Sequence, residues 1–195
     1  MPVREIINEN KLFRVLSVSK FFELFWILSF TILTALAAQI TIPVKPVPFT
    51  LQTMIVVVSG VFLGAKNGAY SQIIYLLLGC LGLPVFAQIP DSSIGFMRLF
   101  GPTGGYLLAF PIGAFLAGVI SKSIRNYFGI VLSMFLGEVV ILFFGAAFLG
   151  SFYLHNLKEA FILGAAIFLV WAVVKSFIGA SIYFGITKSS KKLNL

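Results

Sequence analysis

Few side chains in this sequence can do chemistry, and two of them lie deep within apolar runs. Glu138 falls about 11 residues into the run that begins at Tyr127, and Lys175 about 11 residues before the end of the run that closes near Ile186. At about 1.5 Å of helix rise per residue, two antiparallel neighbours would carry both groups to roughly 16 Å depth, where they could face each other. An unpaired charge at that depth costs about 2.5 kcal/mol or more, so each should point into a helix bundle. Two readings stand. The pair either ties two helices together, or Lys175 offers its ammonium to an anionic ligand, with Glu138 close by.

Arg98, just ahead of Gly101-Pro102, is a second candidate cation for such a ligand. Gln52 and Gln88 each carry two donors and an acceptor, which suits a neutral amide-like group. Gly104-Gly105-Tyr106 combines two positions where a ligand or a neighbouring helix can approach the backbone with a ring that bears a hydroxyl. Catalysis finds little support. The chain has one histidine, His155, and one cysteine, Cys80, so no Ser–His pair, thiolate cluster or histidine metal site can be assembled. No glycine-rich phosphate loop with its lysine is present, so the chain cannot hydrolyse a nucleotide by itself. The expectation is a binding protein, not an enzyme, with no cofactor and no metal.

Something must hold these groups away from water. Of 195 residues, 59% are apolar and 10% charged, and the mean hydropathy is +1.06. A soluble domain carries about a quarter charged residues, so the composition excludes soluble enzymes, nucleic-acid modules and disulfide scaffolds. Apolar runs at about 21–42, 51–65, 69–83, 106–120, 127–149 and 160–186 predict an all-α polytopic membrane protein with six transmembrane helices. Several runs are short for a bilayer, so tilt or local thinning is expected. Lys66-Asn67-Gly68 is read as the tight turn between the second and third, and Pro84 as the stop after the third.

The basic residues orient the chain. With both termini cytoplasmic, the inner side holds ten: Arg4, Lys11, Arg14, Lys20, Lys66, Lys122, Arg125, Lys188, Lys191 and Lys192. Only Lys45, Arg98 and Lys158 then lie outside, a bias that predicts both ends inside. The net charge of +8 is thus read as topology and attraction to an anionic lipid bilayer, with no nucleic-acid partner. Residues 1–20 form a cytoplasmic segment, with an amphipathic helix expected over 3–20; residues 21–187 form the membrane domain and 188–195 a basic tail. A cleaved signal over 1–38 fits less well, because Glu5, Glu9 and Glu23 interrupt the basic stretch. The external loops 43–50 and 84–102 are rich in Pro, Gly and aromatics, which suits a lid or pocket wall better than a solvated connector.

Several strings carry a resemblance. Gln39-Ile40-Thr41-Ile42-Pro43, Val47-Pro48-Phe49-Thr50-Leu51-Gln52-Thr53, Gly82-Leu83-Pro84-Val85-Phe86 and Gly101-Pro102-Thr103-Gly104-Gly105-Tyr106-Leu107 resemble the BioY family over about residues 24–187. BioY proteins are the biotin-binding S components of energy-coupling factor (ECF) transporters. The resemblance implies an outward-facing pocket capped by the first external loop, with biotin as ligand. It adds Thr50 and Phe86 to Lys175, Arg98, Gln52, Gln88, Tyr106, Gly104, Gly105 and Glu138 as candidate ligand-binding residues. It further implies a transmembrane coupling subunit and two cytoplasmic ATPases as partners, met through small residues of the first helix, here Thr31, Ala35 and Ala38, in a prokaryotic cell membrane.

One stretch departs from the family. Its last helix is similar to a Pro-Gly-Asp-x-x-Lys pattern, whereas this chain reads Val170-Trp171-Ala172-Val173-Val174-Lys175. The lysine is kept and the acid replaced by Ala172. Glu138 is expected to take over as counter-charge, or Gln88 or Asp91 to supply the missing polar contact. An S component for a different small vitamin is the nearest alternative function. An intramembrane enzyme lacks a nucleophile and base, and a channel lacks a continuous polar path.

Overall fold

Each long apolar run becomes a helix because only a helix satisfies every backbone group within the segment when no water is at hand. In the computed structural model, residues 3–88 and 93–193 are described, and side chains from Lys20 to Thr187. Asp91 lies outside the described residues, as do the side chains of the 3–19 amphipathic face and of the 188–195 tail. The helices are α1 (Val3–Gln39), α2 (Gln52–Cys80), α3 (Gly104–Ser123), α4 (Tyr127–Leu149), the short α5 (Leu157–Phe161) and α6 (Ile167–Leu193). Among the described residues five helical stretches are long and apolar enough to cross a membrane.

The sixth helix is hidden in α2. Gly64 breaks its backbone at φ 79°, ψ 169°, in the left-handed region that glycine occupies without strain. The chain folds back there on itself. Gln52 meets Tyr75, Ser59 meets Gln72, and a Cβ on Gly68 would lie 2.6 Å from the Gly60 Cα. The turn is therefore at Gly64, and the expected Lys66-Asn67-Gly68 turn is instead the first turn of the second arm. The first arm, 52–63, is only about 18 Å long at 1.5 Å per residue, well short of a hydrocarbon core of about 30 Å. The second arm stops at Cys80, three residues before the expected end, and Gly82 reverses the chain at φ 91°.

Close approach fixes the bundle. A Cβ on Gly60 would lie 1.9 Å from the Ala114 carbonyl oxygen, and one on Gly118 would lie 2.4 Å from the Ala65 nitrogen, so α3 lies directly on the hairpin. Gly68→Leu is expected to destabilise the protein by about 3 kcal/mol or more, since the obstacle is backbone that cannot repack. Gly185→Leu, where nothing stands within 4 Å, should leave thermal unfolding in detergent unchanged. Equal melting of the two variants would mean that the arms are not closely paired.

Polar groups on α1 are spent inside the chain. The Thr31 hydroxyl donates to Ser71 O at 2.9 Å, and Gln72 Nε2 donates to Thr34 Oγ1 at 3.3 Å. Thr31 and Ala38 are 2% and 0% exposed, Thr31 being held against α2, and Ala35 is half-buried. The small residues admit a helix of the same chain. The other side of α1, with Phe25, Ile32 and Leu36, is exposed, as apolar side chains are when lipid is their solvent.

Candidate functional site

The loop 43–50 covers a cavity. Two short strands, β1 (Thr41–Ile42) and β2 (Phe49–Thr50), pair antiparallel, with Thr41 opposite Thr50. The proline-rich turn between them tucks Val47 and Pro48 inward, both buried. Phe49 latches the hairpin to α6 by stacking on Phe168, with ring centroids 4.3 Å apart. Beneath it lies a cavity of about 590 Å³, the part open to solvent included, walled by Phe86, Tyr106, Leu107, Phe110, Leu142 and Phe168.

Few polar groups line this apolar space: Thr50, Gln52, Thr53, Arg98, Thr103 and Lys175. Lys175 reaches it from mid-α6, 8% exposed, and its Nζ lies 2.7 Å from Glu138 Oε2. Thr53 bridges the two, accepting from the Lys175 ammonium and donating to Glu138 Oε2 at 3.3 Å. Depth counted along two antiparallel helices thus does bring Glu138 and Lys175 together. Glu138 stands behind the lysine rather than in the cavity wall, with its Oε1 buried and unpaired within the chain. Lys175 is not a lone cation. Its charge is neutralised, and of its three donors at least one is left over from Glu138 and Thr53.

Arg98 differs. It sits in a 3-10 turn, Gly95–Phe100, is 4% exposed, and donates from Nη2 to Ala87 O at 2.8 Å. Its Nε is buried without a partner, and no carboxylate lies within ion-pair distance among the described residues. Burial draws its pKa down from the ordinary value, with Tyr75 opposing, yet a guanidinium remains charged. A buried cation with spare donors is a seat for an anion.

Residues 10–192, nearly the whole chain, match the BioY family. This chain belongs to that family. It is 42% identical over 147 residues to the "Probable biotin transporter BioY" of Pyrococcus horikoshii, covering 75% of this chain and 85% of the relative. It is 37% identical over 159 residues to the "Biotin transporter BioY" of Thermotoga maritima, covering 82% and 92%. Its fold is similar to the crystal structure of the S-component for biotin from an ECF-type ABC transporter. The TM-score is 0.79 at 27% identity, over 87% of this chain and 93% of that one. As a BioY protein it is a multi-pass membrane protein of a transporter family, not an enzyme family.

Within this BioY chain the candidate residues divide. Thr50, Gln52, Phe86, Arg98, Tyr106 and Lys175 line one cavity. Gln52 Nε2 is committed to the Tyr75 hydroxyl at 2.5 Å, and the Tyr106 hydroxyl donates to Gly164 O at 2.8 Å, so Tyr106 presents only its ring. Gly104 and Gly105 do not line this cavity and are closely packed. A Cβ on the first would meet Leu99 O at 1.8 Å and one on the second Phe148 Cβ at 2.2 Å. Gln88 is exposed and lies outside this cavity, on a neighbouring outer hollow that shares Arg98 with it. Ala172, in the place of the family's acid, is fully buried and not in the cavity wall, so the acid beside the lysine comes from α4. Thr53 and Phe168 were missed. Phe168 precedes Lys175 by seven residues and shares its helix face, a signal that periodicity offered.

Proposed function

We propose that this chain is the substrate-capture subunit of an ECF transporter and that its ligand is biotin, taken from the external face. The observation that carries this reading is the charge of the cavity in a BioY-family chain. Among the described residues Arg98 has no carboxylate partner and Lys175 is paired with Glu138, which leaves one net positive charge among aromatic walls. Biotin matches: one carboxylate, a compact ring pair and a ureido group that both accepts and donates. The carboxylate goes to Arg98 and the ureido oxygen to the remaining Lys175 donor, with Glu138 and Thr53 positioning that ammonium. Phe49 on Phe168 closes the lid after entry.

Uptake then needs a transmembrane coupling subunit and cytoplasmic ATPases, since this chain holds no nucleotide-binding loop. Both termini face the cytoplasm of a prokaryotic cell on the ten-to-three distribution of basic residues. The exposed α1 side around Ile32 and Leu36, and not the buried Thr31 and Ala38, is where the coupling subunit has access. Calorimetry of the purified protein with biotin and a panel of other vitamins tests the ligand. Saturable binding of biotin alone is expected. Binding of another vitamin in its place would keep the capture role and replace the ligand, an outcome to which the relocated acid beside Lys175 lends some ground.

A further inference from the structure

A second hollow lies at the other end of the bundle. It holds about 1650 Å³ of space, the part open to solvent included, between Glu23 of α1 and Tyr183 of α6, beside the Gly64 turn. Its rim carries Lys66 from α2, Lys122 from α3 and Arg125 from the link to α4, all exposed, against one carboxylate among the described residues, Glu23. None of the four makes an ion pair among the described residues. The inner wall is aromatic, formed by Phe62, Phe115 and Tyr183. Sideways the hollow opens onto a ridge of α3 that includes Phe115 and Val119, 46% and 44% exposed, and continues upward through Ile112 and Leu108, both 48% exposed.

We propose that this groove seats an anionic phospholipid, its phosphate on Lys66, Lys122 and Arg125 and its acyl chains along the Leu108–Val119 ridge of α3. Three cations converging from three elements, with one opposing carboxylate, complement a negative headgroup. A soluble anion would have no use for the aromatic wall or for an apolar ridge that leaves the groove at one end. A cationic pocket between helices at headgroup level, continuous with exposed apolar surface, has the two-part chemistry of an amphiphile. The site is separate from the cavity under the lid and shares no lining residue with it.

Native mass spectrometry of the full chain in a non-ionic detergent tests this with phosphatidylglycerol and phosphatidylcholine of identical acyl chains. The wild type should retain phosphatidylglycerol preferentially. At about fivefold per cation near the headgroup, Lys66→Gln/Lys122→Gln/Arg125→Gln should lose roughly a hundredfold of that preference. Lys45→Gln/Lys158→Gln, at the opposite end, should lose almost none. Glu23→Gln should strengthen retention about fivefold, a gain that misfolding cannot imitate. Unchanged retention in the triple variant, or equal loss in the Lys45/Lys158 control, would overturn the proposal. So would displacement of the lipid by inorganic phosphate at matched concentration, which would mark a soluble-anion site. A triple variant that keeps phosphatidylglycerol but no longer assembles with its coupling subunit would make the groove a protein-docking surface instead.

Discussion

Lys175→Met is expected to cost the protein twice, in folding stability and in ligand affinity. Removing the ammonium leaves Glu138 buried, 1% exposed and without a counter-charge, and breaking a buried pair in this way costs about 3–5 kcal/mol. Biotin affinity should fall by a hundredfold or more, because truncating one member of a buried charge pair typically costs about 2–5 kcal/mol. The two losses separate in Lys175→Met/Glu138→Met. Replacing both charges by apolar groups of similar size should restore thermal stability in detergent, while biotin binding stays weak. Equally tight binding by Lys175→Ala and wild type would remove Lys175 from the site. Recovery of both stability and affinity in the double variant would reduce the pair to a device that joins α4 and α6.

Arg98→Gln should weaken biotin by a similar factor, and in a way that identifies the end of the ligand it meets. The wild type should prefer biotin over its uncharged amide, because the buried guanidinium has no carboxylate partner among the described residues. Arg98→Gln should bind acid and amide alike, with the amide close to its wild-type affinity. Arg98→Lys should recover only part of the preference, since an ammonium cannot reach Ala87 O and the ligand as a planar fork does. Should the acid–amide preference survive in Arg98→Gln and vanish in Lys175→Met, the ligand lies the other way round in the cavity.

Much of this site could be read from the linear chain because its components are rare. In a sequence with 10% charged residues, a glutamate and a lysine in the middle of apolar runs are conspicuous, and residue counting gave both the same depth. The loop strings around Pro48 and Gly101 carried the family. The division of labour among the candidates was not legible. Gly104, Gly105 and Tyr106 looked like a mouth for a ligand, yet the glycines are occupied by Leu99 and Phe148 and the hydroxyl by Gly164. Glycine makes room without saying for what, and a tyrosine hydroxyl takes whichever acceptor the neighbouring helix presents. Thr31 carries the same ambiguity: a small residue lets a helix approach, and within this chain its hydroxyl meets α2.

By itself the sequence determined that this is an all-helical membrane protein with six helical segments, two charges deep in apolar runs and a stiff, proline-bearing loop. Those properties depend on composition and on spacing along a single segment, which lipid and backbone hydrogen bonding read locally. Only the tertiary structure decided that α2 turns at Gly64, that Lys175 pairs with Glu138 while Arg98 meets no carboxylate among the described residues, and that three basic residues from separate elements rim one groove. Each of those depends on which faces of distant segments meet. That is settled by where glycine and alanine let helices come close, a choice made jointly by both partners of every contact and visible in neither alone.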